Sequence, residues 1–117
     1  MSEAGNPVDL ERIRLTSEGD RAFEEELFSL FVDDSGKRIG RIAAAVGEED
    51  RETLAHEAHT VKGSAANIGA NGMREIALAL ERCGAEGDWA RARRLSAELT
   101  AAFGEVRRFM GGYFGAA

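Results

Sequence analysis

The chain has 117 residues and a formal net charge of −6, with 44% hydrophobic but only 7% aromatic residues and a single proline. This length allows one domain with one core, and this composition favours helices over strands. The acidic balance argues against a nucleic-acid partner, and no apolar run reaches the length of a membrane span. The single cysteine, Cys83, excludes an internal disulfide. Because the N-terminus also lacks the basic-then-apolar order of a signal peptide, we expect a cytoplasmic protein.

The first two predicted helices differ in length. Asn6 and Pro7 are typical of a helix start, and they predict a short first helix that covers one end of the molecule. Gly19 and Asp20 begin a much longer second helix, whose apolar residues recur at spacings of three and four. These apolar residues are Phe23, Leu27, Leu30, Phe31, Ile39, Ile42 and Val46.

Three further helices are predicted, separated by short turns. Asp50, Asn71 and Asp88 are placed to cap the third, fourth and fifth helices, and Gly69 is placed to end the third. Because short turns make neighbouring helices antiparallel, the sequence predicts an all-α, up-down-up-down four-helix bundle with a short N-terminal helix.

The whole chain, residues 1–117, is predicted to be a single domain. Its core bundle is expected to run from about residue 20 to about residue 110. The segments 1–6 and 111–117 are expected to be flexible, as chain ends usually are.

The third helix contains both histidines of the chain. At about 100° per residue, one side of this helix is an apolar stripe formed by Leu54, Ala58, Val61, Ala65 and Ile68. On the same wheel His59 lies at about 140° from the centre of the stripe and Gly63 at about 180°, so both point away from the core. Lys62 lies beside the histidine, at about 80°. An accessible imidazole beside a cation and little side-chain bulk suits acceptance of a phosphoryl group.

This stretch resembles the histidine-containing phosphotransfer (HPt) domains of phosphorelays. In that family a histidine is followed by two residues, then by Lys-Gly-Ser or Lys-Gly-Ala, and the helix ends in a Leu-Gly or Ile-Gly step. Here the corresponding residues are His59-Thr60-Val61-Lys62-Gly63-Ser64 and Ile68-Gly69, and the next helix contains a Leu80-Glu81 step. The similarity extends over roughly residues 23–109.

The resemblance implies a phosphoryl carrier that acts between aspartates of response-regulator receiver domains through a phosphohistidine. His59 would be the phosphoacceptor, and Lys62 would stabilise the phosphoryl oxygens. Glu81 would orient the imidazole through a hydrogen bond to the nitrogen that is not phosphorylated.

The receiver is expected to contact the same side of the third helix, at His56, Gly63 and Ala66. The chain is expected to need no cofactor or metal, because the receiver would supply Mg²⁺. It has no nucleotide loop or kinase signature, so we expect a carrier without autokinase activity. A hybrid sensor kinase is a further candidate partner, whereas nucleic acid and membranes are not, and the chain is expected to be a monomer.

Alternatives to this interpretation remain at the level of sequence. His56 competes with His59 as acceptor, although the residues after His56 do not match those of sensor kinases. Two imidazoles and Glu57 on neighbouring turns could ligate zinc or a di-iron centre, but a further ligand set is missing. A helical adaptor that is never phosphorylated is the third possibility. Three cations of the second helix at the level of His59 are predicted to be a solvated face: Lys37, Arg38 and Arg41.

Overall fold

The structure is a computed structural model that describes residues 6–115. Its helices, in chain order, are α1 (Leu10–Ser17), α2 (Arg21–Glu48), α3 (Arg51–Ile68), α4 (Asn71–Glu86) and α5 (Trp89–Gly115). α2 packs on α3, α3 on α4, α4 on α5, and α5 again on α2, while α1 contacts α2 and α3. The prediction of an all-α bundle preceded by a short helix is confirmed.

The core lies between the four long helices. The predicted apolar stripe of α3 is buried along its whole length: Leu54, Ala58, Val61, Ala65 and Ile68. The beginning of α3 and the end of α4 approach each other closely. A Cβ added to Gly84 there would lie 3.0 Å from a methyl carbon of Leu54. Because this face of α3 is buried in the core, the opposite face, which contains His59, is directed towards solvent.

Three of the four long helices begin with an aspartate cap. The side chains of Asp20, Asp50 and Asp88 each accept a hydrogen bond from the backbone N–H three residues later, at 3.1, 3.2 and 3.2 Å. Such caps satisfy backbone donors that have no partner within the helix. Gly69 ends α3 in the left-handed conformation, with φ of 79°. The predicted roles of Asp50, Asp88 and Gly69 are therefore confirmed.

Two other predicted helix starts are wrong. α1 begins at Leu10 rather than at Pro7, because Asp9 caps it by accepting from the backbone N–H of Glu11. The N–H of Asp9 itself donates to the carbonyl of Gly69 at 2.8 Å, which fixes α1 across the turn between α3 and α4. At the start of α4, Asn71 is already helical, and the cap position belongs to the buried Ala70, which offers no side-chain hydrogen bond.

The last helix extends further than expected. α5 continues as helix to Gly115, although flexibility was expected from Gly111 onwards. Tyr113 and Phe114 are half-buried there, and the Arg21 guanidinium donates to the carbonyl of Tyr113 and lies over both rings. These contacts tie the end of α5 to the beginning of α2. Of the other residues expected to be flexible, 1–5 and 116–117 lie outside the described part of the chain.

No helix within residues 6–115 combines the length and the apolar character that crossing a lipid bilayer demands.

Candidate phosphoacceptor site

His59 lies in the middle of α3 with 68% of its side chain exposed. Its Nδ1 atom faces α4 and lies 3.2 Å from Oε2 of Glu81. Within residues 6–115 its other ring nitrogen, Nε2, has no hydrogen-bond partner. The histidine that the sequence singled out is therefore accessible, and one of its two nitrogens is held by a neighbouring helix.

Glu81 is shared between two donors. Its Oε1 atom accepts a hydrogen bond from Nζ of Lys62 at 2.8 Å, while Oε2 faces His59. Partial burial opposes ionisation of this carboxyl group, but the hydrogen bonds and charges of Lys62 and His59 outweigh burial and lower the pKa of Glu81 below its ordinary value. Glu81 is thus a carboxylate near neutral pH.

This charge state determines the tautomer of His59. An ionised carboxylate can only accept hydrogen bonds, so Nδ1 of His59 must carry the ring proton when it bonds to Glu81. In the neutral imidazole Nε2 then keeps its lone pair, which is the nucleophile that phosphoryl transfer requires. The pairing of Lys62 with Glu81 was not predicted from the sequence, which assigned that lysine to the phosphoryl group alone.

The three expected contact residues surround His59 on α3. His56 is exposed one turn earlier, and Gly63 is exposed one turn later. Beyond the neighbouring backbone of α3, a Cβ added at Gly63 would meet no atom within 4 Å, so the helix is open to an approaching molecule there. Ala66 is half-buried at the margin of this face. Their contact with a receiver stays a prediction.

A buried ion pair joins α3 to α2 on the opposite flank. The Glu57 side chain is only 9% exposed and accepts from Nη1 of Arg38 at 2.9 Å, and Arg41 lies 3.8 Å away. Arg38 also donates through Nε to Asp34 at 2.8 Å. These hydrogen bonds, to Asp34 first and then to Glu57, raise the pKa of Arg38.

The prediction of a solvated cationic face on α2 is therefore wrong for Arg38, which is bonded to Asp34 and Glu57. Arg41 is exposed as predicted, but it also lies 3.8 Å from Glu57. Lys37 is exposed, as expected. A signal for the pair was present in the sequence: Glu57 lies only about 60° from Leu54 on the helical wheel. An acidic residue so close to a core stripe requires a cationic partner on a neighbouring helix.

The metal-binding alternative gains no support from this arrangement. Among residues 6–115, no three or more His, Cys, Asp or Glu side chains are grouped so that they could hold a metal ion. Glu57, the candidate third ligand beside His56 and His59, is bonded to Arg38 instead.

Comparison with known proteins agrees with the geometry. The sequence model of the Hpt domain matches residues 26–109. No curated protein matches the chain significantly. Among solved structures, the fold is similar to that of histidine-containing phosphotransfer protein B from Pseudomonas aeruginosa PAO1, with a TM-score of 0.88. The two sequences are 25% identical, and the alignment covers 97% of this chain and 99% of the other. Because the family match includes most of the chain and the exposed histidine, this protein belongs to the Hpt domain family, whose phosphocarriers act in histidine phosphotransfer and partner with response-regulator receiver domains.

Proposed function

We propose that this chain accepts a phosphoryl group from an aspartyl phosphate of one receiver domain and passes it to the aspartate of another. His59 is the phosphoacceptor, and it reacts through Nε2. The observation that carries this proposal is the exposed imidazole whose Nδ1 faces the Glu81 carboxylate at 3.2 Å. That contact orients the ring and leaves the second nitrogen available to a partner.

The transfer step needs positioning and charge more than covalent assistance, because the transition state of phosphoryl transfer is loose. Nε2 attacks phosphorus in line, and the aspartate O–P bond breaks with its electron pair passing to the aspartate oxygen. Lys62, one turn from His59, supplies an ammonium group that can neutralise phosphoryl oxygens. Glu81 orients the imidazole and is a positioning residue.

The receiver approaches over the outward side of α3. Gly63 has no atom around a hypothetical Cβ within 4 Å, so a partner can press against the helix backbone there, with His56 and Ala66 at the edges of the contact.

Mg²⁺ belongs to the receiver, and this chain needs no cofactor of its own. The chain is a monomeric cytoplasmic carrier without autokinase activity, and a hybrid sensor kinase is a candidate source of the phosphorylated receiver.

A relay assay with two purified receiver domains tests this function. One receiver is loaded with labelled phosphate and freed of excess donor, and the second is added with or without this chain. Label should reach the second receiver only when the chain is present, and ATP with Mg²⁺ alone should not label the chain. Transfer that is equally fast with the His59→Gln variant would contradict the proposal and favour the adaptor alternative.

The same preparations test the metal-binding alternative. Elemental analysis of the purified chain should find no stoichiometric zinc or iron, and a chelator should leave the thermal unfolding midpoint unchanged. One tightly bound metal ion per chain, lost together with stability on chelation, would favour the metal-binding alternative instead.

A further inference from the structure

The Glu81 carboxylate has a consequence for the phosphorylated state of His59. Both of its oxygens are occupied, Oε1 by Nζ of Lys62 at 2.8 Å and Oε2 by Nδ1 of His59 at 3.2 Å. Glu81 can only accept hydrogen bonds as long as it is ionised. A partner that can only accept favours any form of the histidine ring in which Nδ1 has a proton.

A phosphohistidine with phosphorus on Nε2 exists in two ring forms. In the neutral form Nδ1 has a lone pair, which would lie against the lone pairs of Oε2. In the cationic form Nδ1 keeps its proton, so the hydrogen bond to Glu81 persists and gains the attraction of opposite charges. The geometry of the site therefore favours the cationic form.

We propose that Glu81 keeps the Nδ1 proton on His59 throughout the phosphorylation cycle, so that the phosphohistidine of this chain is the ring-protonated, readily transferred form. This inference rests on the proposed function of His59. It adds the protonation state of the phosphorylated ring, which the acceptor role of His59 does not by itself specify. Glu81 acts here through the ring and is a positioning residue.

Acceptance and donation of the phosphoryl group require no proton transfer at His59. On acceptance, the Nε2 lone pair forms the N–P bond while the aspartate O–P bond breaks, and the ring becomes a cation that retains its Nδ1 proton. On donation, a carboxylate oxygen of the second receiver's aspartate forms the new O–P bond while the N–P bond breaks and its electron pair returns to Nε2. The leaving group is then a neutral imidazole. The neutral phosphorylated ring would instead release an imidazolate anion, which needs a proton from elsewhere.

Charged groups on α3 and on its two neighbouring helices define the control experiments. On α3 the neighbours are His56 and Lys62, and on α4 the acidic partner is Glu81. The flanking groups of α2 are Lys37, Arg38 and Arg41, of which Arg38 is paired with Asp34 and Glu57 and Arg41 lies near Glu57. Among these, Lys62 shares the Glu81 carboxylate and competes with the ring for it. Removal of Lys62 should therefore strengthen retention of the Nδ1 proton.

The test uses the full chain with ¹⁵N-labelled histidine, phosphorylated by phosphoramidate or by a loaded receiver. NMR then reports the protonation of Nδ1 in phosphorylated His59 as a function of pH, and the loss of label gives the lifetime of the phosphohistidine. In the parent chain Nδ1 should stay protonated to higher pH than in Glu81→Gln, with midpoints about one pH unit apart or more. At a pH above both midpoints, Glu81→Gln should lengthen the lifetime by up to about tenfold.

Two further variants keep the test independent of any single substitution. Lys62→Met should move the midpoint upwards, opposite to Glu81→Gln. Glu86→Gln removes the same charge from an exposed position of α4 and should leave the midpoint unchanged. Equal midpoints and lifetimes in the parent and Glu81→Gln, or a Lys62→Met midpoint that does not rise, would overturn the inference while leaving His59 as acceptor. A chain that takes no phosphoryl group from either donor would overturn the proposed function as well.

Discussion

Glu57 lies between the two histidines in sequence, yet its side chain serves the packing of helices. It points to α2, where it accepts from Arg38 at 2.9 Å, and only 9% of it is exposed. Glu57 thus bonds α3 to α2 on one side, whereas on the other side Glu81 of α4 bonds to Lys62 and His59. Glu57 fixes the position of α3 against α2, and Glu81 orients the reactive ring of His59.

Glu57→Gln should lower the free energy of unfolding by about 1–3 kcal/mol, because it leaves the partly buried Arg38 without its charged acceptor on α3. Urea denaturation measures this change. The matched control is Asp34→Asn, which removes the half-exposed partner of the same arginine and should cost no more than about 1 kcal/mol. Equal costs for the two variants would show that burial of Glu57 does not determine the strength of this pair.

α1 is held to the bundle through the turn that ends α3. Gly69 has a φ of 79°, and a Cβ added there would lie 2.6 Å from the backbone oxygen of Asp9. The same turn accepts the hydrogen bond from the N–H of Asp9. Only glycine permits both the left-handed turn and this close approach of α1.

Gly69→Ala should therefore destabilise the chain more than Gly87→Ala does. Both glycines have positive φ, so each alanine costs about 1–2 kcal/mol of backbone strain. At Gly87 the atoms nearest to an added Cβ belong to the flexible Arg51 side chain, which can move, whereas at Gly69 the nearest atom is backbone. Thermal unfolding of the two variants measures the difference, and identical losses would contradict the proposed docking of α1.

The start of α3 makes a pH-dependent contribution to stability. Hydrogen bonds from the Thr53 hydroxyl and backbone N–H lower the pKa of Asp50 below its ordinary value of 3.8. The ionised cap therefore stabilises the fold above that pH, and this stabilisation is lost as the pH falls through the lowered pKa.

Asp50→Ala should accordingly be less stable than the parent at neutral pH, and the difference should shrink below about pH 4. Urea midpoints measured across this pH range provide the readout, with Asp33→Ala, an exposed aspartate of α2, as the control for loss of a surface charge. A difference between parent and Asp50→Ala that is constant with pH would contradict the role of the ionised cap.

Most of the bundle can be predicted from the sequence because the relevant signals are local. The stripe from Leu54 to Ile68, the caps at Asp50 and Asp88 and the stop at Gly69 each depend on residues within a turn or two. Prediction from the sequence failed where a residue contacts a partner that is distant in the sequence. Asp9 displaced the expected start at Pro7 because α1 docks on Gly69, and α5 extends past Gly111 where Tyr113 and Phe114 meet the Arg21 side chain.

The candidate site shows the same division between local and distant signals. The exposure of His59 and of Gly63 follows from the helical wheel, and the nearness of Glu81 follows from antiparallel pairing of α3 with α4. The division of the Glu81 carboxylate between Lys62 and the ring depends on side-chain positions across two helices. No spacing within the sequence encodes those positions.

The bundle presents His59 on an open surface, so a partner must complete the reaction site. Gly63→Gln should be neutral or up to about 1 kcal/mol more stable, because glycine is unfavourable inside a helix and the added side chain meets no neighbour. The same change should slow transfer from a phosphorylated receiver by obstructing its approach.

Gly111→Gln on α5 is the matched control for added bulk, since no atom lies within 4 Å of its hypothetical Cβ either. It should transfer at the parental rate, because α5 packs on α2 and α4 rather than on α3. Phosphoramidate, a small donor, should still label the Gly63→Gln chain. A Gly63→Gln chain that accepts phosphate from the receiver as fast as the parent would show that the receiver docks elsewhere.

Identification of the phosphorylated atom tests whether His59 is the phosphoacceptor. The parent chain, His59→Gln and His56→Gln are each incubated with the same loaded receiver, and the modified residue is located by fragmentation mass spectrometry, with ³¹P–¹⁵N NMR to identify the bonded nitrogen. We predict phosphate on Nε2 of His59, undiminished helicity but no label in His59→Gln, and label retained in His56→Gln. Label that persists in His59→Gln and disappears in His56→Gln would contradict this prediction.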